Sequence, residues 1–165
     1  MTPWTTRTIE ERSHLNPAFC SLLLWHAAEG HAEVAERSLS FEESFLVLPL
    51  VLQRDTRASL PRTRRTSLAS WLDDNPLARG RLARSSRLLV AHTREALLFG
   101  SIHGLIRIVD GRVAANRLWR RQVRRIISGG SEEMRDCTKR SEFVGKWMAS
   151  AGSASTVLAL VGVRP

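Results

Sequence analysis

A few groups of side chains in this sequence are of types that can do chemistry. His26 and His31 stand five residues apart with Glu29 and Glu33 close by, a spacing that can bring nitrogen and oxygen ligands together near a helix end. The simpler reading is a pair of partly exposed histidines, and no metal is assigned to them. Asp73-Asp74 falls at an expected helix end and reads as a solvated turn, although paired carboxylates suit a divalent ion in principle. Cys20 lies among Leu and Phe, and Cys137 falls on an apolar stripe; both read as small buried apolar residues with no base beside them. The sequence holds no GxxxxGK[ST], GxGxxG or GxSxG loop. Neither enzymatic activity nor a cofactor is therefore expected.

The main chemical feature is arginine. The 165 residues carry 25 Lys+Arg against 16 Asp+Glu, a net charge of +9, and only Lys139 and Lys146 are lysine. The charge is segregated. Residues 1–53 hold 3 arginines and 7 glutamates, whereas residues 54–125 hold 17 arginines against five acidic residues. Codon bias in a GC-rich genome accounts for Arg over Lys but not for this separation. Arg62, Arg64, Arg65, Arg112, Arg117, Arg120, Arg121, Arg124 and Arg125 are the expected contacts, either to the phosphates of double-stranded DNA or to an acidic partner, because guanidinium binds both anions bidentately. The competing reading is a solvated charged face. Contact with phosphates would lack sequence preference and weaken steeply with salt.

These side chains need elements to position them. Asn16-Pro17 predicts a helix N-terminus, followed by Phe19, Cys20, Leu22, Leu23, Leu24 and Ala27 and stopped by Gly30. Apolar on most sides, this helix belongs at the centre of the core. Ser40-Phe41-Glu42-Glu43 predicts the next start, with Pro49 expected to kink or break that helix. Three short helices follow: Thr63 to Trp71, one opened by Asn75-Pro76, and one capped by Thr93 with Leu98, Phe99 and Ile102 facing inward until Gly104.

The period then changes. Leu105 to Val109 and Arg112 to Ala115 flank Asp110-Gly111, the strongest short signal for a two-residue hairpin. Trp119 to Ile127 fits a strand or a helix equally. After the break at Ser128 to Ser131, Met134, Cys137, Ser141, Val144 and Met148 form a helical stripe that needs a partner surface. The expected fold is a mainly α, winged-helix-like single domain with one β-hairpin, spanning residues 1–165. Its parts are an acidic helical part over 1–53, basic helices plus the hairpin over 54–127, and C-terminal helices over 131–165. No run is apolar for the roughly 20 residues a membrane helix needs, and the N-terminus lacks a signal-peptide pattern, so a cytoplasmic protein is expected. Trp4, Trp119 and the Val157-Leu158 segment are expected to belong to an apolar interface.

Longer strings carry a resemblance. They are Asn16-Pro17-Ala18-Phe19-Cys20, Leu46 to Leu52 with Pro49, Arg57, Leu60-Pro61, Thr66 to Trp71, Asn75-Pro76, His92 to Gly100, Gly145-Lys146-Trp147 and Gly162 to Pro165. In this order they resemble the small middle component of bacterial three-component ABC systems, from about residue 13 to the end. The resemblance implies a non-catalytic accessory subunit in anti-phage or anti-plasmid defence of the Lamassu type. It would join an SMC- or Rad50-like ABC ATPase to an effector, often a nuclease. No catalytic residue is implied; the matched positions read as caps, kinks and core anchors. The alternative is a free-standing winged-helix DNA-binding regulator. The helix before the hairpin disfavours it, because past Arg94 and Glu95 that helix offers apolar residues rather than groups for base edges.

Overall fold

A computed structural model describes residues 15–163. The first helix, α1 (Pro17–Ala35), is capped by Asn16, whose side chain accepts the Ala18 N–H at 2.9 Å. Gly30 does not stop it: the helix runs on to Ala35 and ends with Glu36 in the left-handed conformation, φ 52°. The expected stop at Gly30 is corrected by its surroundings. A Cβ there would stand 2.2 Å from the Glu142 carbonyl oxygen, so this glycine admits a neighbouring helix backbone rather than ending its own.

A two-residue strand, β1 (Leu39–Ser40), precedes α2 (Phe41–Leu52). Ser40 and Glu43 form a reciprocal capping box, each side chain meeting the other's backbone N–H at 3.1 Å. Pro49, expected to kink or break this helix, does not break it. It lies in the last turn, where a single backbone bond is lost, and the buried run Leu46 to Val51 holds the helix in the core. Then come α3 (Arg54–Ser59), α4 (Leu68–Asp74) and α5 (Pro76–Leu88). The helix expected from Thr63 begins only at Leu68, where Ser67 caps it by accepting the Ser70 N–H. Arg62, Arg64 and Arg65 therefore lie in a loop. Tryptophan N–H groups hold the two sides of that loop: Trp71 donates to Ser59 O at the end of α3 and Trp147 to Thr66 O within the loop, both at 2.8 Å.

The next helix, α6 (Val90–Ile102), starts three residues before the expected cap, and Thr93 is buried inside it. The hairpin forms as predicted, with β2 (Ile106–Val109) and β3 (Arg112–Ala115) pairing antiparallel. Asp110 and Gly111 both have positive φ, 50° and 67°, the conformation of a type I′ turn. The sheet is larger than a hairpin, because β1 pairs antiparallel with β3 to give the order β1-β3-β2. Two residues carry too little pattern to announce such a strand.

A single 3-10 turn over Arg117–Trp119 leads into α7 (Arg120–Ser128), which resolves the ambiguous segment as helix. Last come α8 (Glu132–Ser150) and α9 (Ala154–Val161). The predicted stripe of α8 finds its partner in α1. Ser141 Oγ donates to Leu23 O at 2.5 Å, Lys146 Nζ lies 2.8 Å from Glu33, and a Cβ on Gly145 would meet the Ala27 carbonyl oxygen at 2.0 Å. The two backbones are in van der Waals contact, as small residues at a helix crossing allow. Leu23, Leu24, Val47, Leu48, Val144 and Met148 are fully buried around them; each such side chain contributes roughly 1.5–3 kcal/mol of burial.

Candidate interaction surfaces

The arginines expected to meet a partner fall into three groups. Arg62, Arg64 and Arg65 are exposed in the loop before α4, and Arg64 reaches Ser150 Oγ only at 3.5 Å. Arg112, exposed on β3, donates to the Ser38 carbonyl at 3.2 Å and so helps hold β1 to the hairpin. The third group is the 3-10 turn with α7, where the sequence concentrates charge.

In that third group the arginines divide again. Arg117 Nε lies 2.9 Å from one oxygen of Glu29, and Arg120 Nε lies 3.1 Å from the other. Glu29 is buried on α1. Burial alone pushes its carboxyl upward, but the hydrogen bonds and charges of Arg120 and Arg117 outweigh burial and hold it below the ordinary carboxylate value. These two arginines are therefore anchors that tie α7 to α1, while each keeps part of its side chain in solvent. Arg121, Arg124 and Arg125 are exposed on α7, whose Val123 is buried. Arg107 on β2 and Arg117 flank a shallow pocket floored by Ala28, Ala32, Ala114 and Ala115.

Several large apolar side chains are also exposed. Leu98 is 55% and Ile102 71% exposed on α6, which corrects the expectation that they face inward. The inward face of α6 is its small one. Ala96 and Leu97 are buried, and Gly100 sits so near Ile106 that a Cβ would stand 2.9 Å from its Cδ1. Val90, Arg94, Leu98 and Ile102 follow one another at four-residue intervals, so they form one ridge of the helix. Ile108 and Val109 on the hairpin and Leu118 in the 3-10 turn are also exposed. Of the residues expected at an apolar interface, Val157 and Leu158 are instead buried in the core, Trp119 is partly buried against it, and Trp4 lies outside the described residues.

At one end of the ridge is a groove of about 390 Å³ between α2, the junction of α5 with α6, and α9. Phe41 and Phe45, in edge contact at 5.3 Å, form one wall, and Val90 with Leu158 forms the other. Arg87 and Arg94 stand on its rim. The sequence offered a signal for this face, the i, i+4 pairing of Arg94 with Leu98, but α6 is apolar on several sides and periodicity did not select which one is buried.

The histidines do not converge. His31 is fully buried, with Nδ1 3.0 Å from the Arg37 carbonyl and Nε2 3.8 Å from Glu43. Burial lowers the pKa of His31 and of His26. Among the described residues no group of three or more His, Cys, Asp or Glu side chains is arranged to hold a metal ion. Cys20 and Cys137 are buried thiols, and burial, with the charge of Glu95 adding to it, pushes Cys20 up to about 12. No helix among the described residues is long and apolar enough to cross a membrane.

Over residues 4–165 the chain matches the family described as ABC-three component (ABC-3C) system Middle Component 3. No curated protein matches it, and no solved structure does.

Proposed function

Because the chain belongs to the Middle Component 3 family of ABC-three component systems, we propose that it is a non-catalytic accessory subunit that bridges an SMC- or Rad50-like ABC ATPase and an effector such as a nuclease. The setting is anti-phage defence of the Lamassu type. The observation that carries this reading is the ridge of α6. Leu98 and Ile102 turn large apolar surface to solvent on the helix that enters the hairpin, and contiguous exposed apolar surface is characteristic of protein interfaces.

The fold fits a winged-helix derivation. Helices precede a hairpin whose inner strand pairs with a short strand from upstream of those helices. In a DNA-reading member of that class the helix before the wing offers polar groups to base edges. Here the exposed positions of the same helix are Ala91, Arg94, Leu98 and Ile102, one cation among apolar residues, which favours protein docking over a free-standing regulator. Arg121, Arg124 and Arg125 give α7 a basic face suited to the phosphates of double-stranded DNA, without base reading.

Co-expression of the chain with the ATPase and with the remaining component of its system, followed by affinity purification and size-exclusion chromatography with light scattering, tests the reading. A stoichiometric complex containing the chain is expected. A chain that stays alone in every combination would end it.

A further inference from the structure

The geometry points to the groove between Phe41, Phe45 and Val90 as the docking site for an acidic amphipathic helix of a partner component, its apolar side chains in the groove and its carboxylates on Arg87 and Arg94. This rests on the accessory-subunit reading and specifies where and by what chemistry the partner binds.

The groove is concave and its walls are aromatic and aliphatic, while the two cations stand at its rim. Both arginines are exposed, and among the described residues neither makes an ion pair, unlike Arg57, Arg117 and Arg120, which all meet carboxylates. An amphipathic helix laid in a groove presents apolar anchors at i, i+3, i+4 and i+7, and Leu98 and Ile102 continue the apolar track beyond the rim. Arg94 belongs to both the groove and the ridge, so a helix seated in one lies against the other. Charge selects the occupant. Two cations on the rim against one carboxylate, Glu42, favour an acidic partner and repel a basic one, and such complementary rim charges set specificity and association rate.

Two measurements on the co-purified complex test this. A photo-crosslinking residue is placed at Phe45 and, as a control on a distant helix, at Arg121. Separately, affinity is measured for Arg87→Glu/Arg94→Glu and for the conservative Arg87→Lys/Arg94→Lys. Crosslinking from position 45 to an acidic amphipathic segment of another component, with the double Glu variant weakened about tenfold or more and the Lys variant close to wild type, is the expected result. A complex that forms with unchanged affinity in the Glu variant overturns the groove assignment and leaves the accessory-subunit reading standing. Crosslinks to a basic segment, to a second copy or to this chain's own residues overturn it equally. Failure of every combination to form a complex removes the accessory-subunit reading itself.

Discussion

Gly145 on α8 lies so close to Ala27 on α1 that a Cβ added to the glycine would stand 2.0 Å from the alanine carbonyl oxygen. Gly30 makes the reciprocal approach to Glu142 from α1. The pairing fixes the central helices, and from them the positions of Glu29, Lys146 and the anchors of the hairpin follow. Gly145→Ala is accordingly expected to destabilise the protein by about 1–3 kcal/mol through overpacking. Gly80→Ala, in α5 with nothing within 4 Å, is expected to stabilise it by about 0.5–1 kcal/mol through helix propensity. Denaturant midpoints of the two variants, moving in opposite directions, check the assignment.

Arg57 is a buried cation on α3 that binds Asp136 at 2.7 Å, Glu133 at 3.2 Å and the Val51 carbonyl at 2.7 Å. Removing it takes the Arg57 donor from the Val51 carbonyl, leaves Glu133 without this counter-charge and leaves Asp136 with Arg140 at 3.9 Å. Arg57→Ala is expected to cost about 2–4 kcal/mol. Lysine has a single ammonium head and does not reproduce the three bonds, so Arg57→Lys should recover only part of that loss in a urea titration.

Glu29 and His26 give the acid limb of stability two components of stated sign. The carboxyl of Glu29 is depressed in the folded state, so its contribution is present above its ordinary value of 4.5 and is lost as pH falls through the lower folded value. The stability gap between wild type and Glu29→Gln should therefore close below about pH 4.5. His26 is lowered from 6.5 by burial, against the raising influence of Glu142 and Glu29. Below pH 6.5 the unfolded chain takes up a proton that the folded chain refuses, so stability falls as pH drops through that range. His26→Gln should flatten the slope below about pH 6.5 in urea titrations.

Arg121, Arg124 and Arg125 are exposed on α7 and, unlike Arg120, make no ion pair among the described residues. Duplex DNA affinity is expected to fall steeply with salt. Replacing all three by glutamine should weaken binding uniformly across sequences and reduce the slope of log affinity on log salt by about 3. An affinity that does not change between low and physiological salt would remove the phosphate role.

Local chemistry was legible where it is strong. Asn16-Pro17, Ser40 with Glu43 and Asp110-Gly111 each specify a cap or turn through their own hydrogen bonds or allowed φ, and the structure uses each so. What depends on tertiary contact was not. Gly30 looks like a helix stop in sequence because only the arrival of Glu142 gives it another purpose. Leu98 and Ile102 look like core, since apolar type alone does not disclose that the smaller Ala96 and Gly100 occupy the inward face. Arg117 and Arg120 look like free charge because their partner, Glu29, is 88 and 91 residues away in the chain.

The account turns on whether the outward face of α6 is an interface, and Leu98→Glu/Ile102→Glu tests it most directly. Both side chains are already in solvent, so the variant should fold with stability close to wild type, within about 0.5 kcal/mol. Co-expressed with the other components of its system, it should elute as the free chain. A variant that folds and still assembles at wild-type stoichiometry and affinity would contradict the claim.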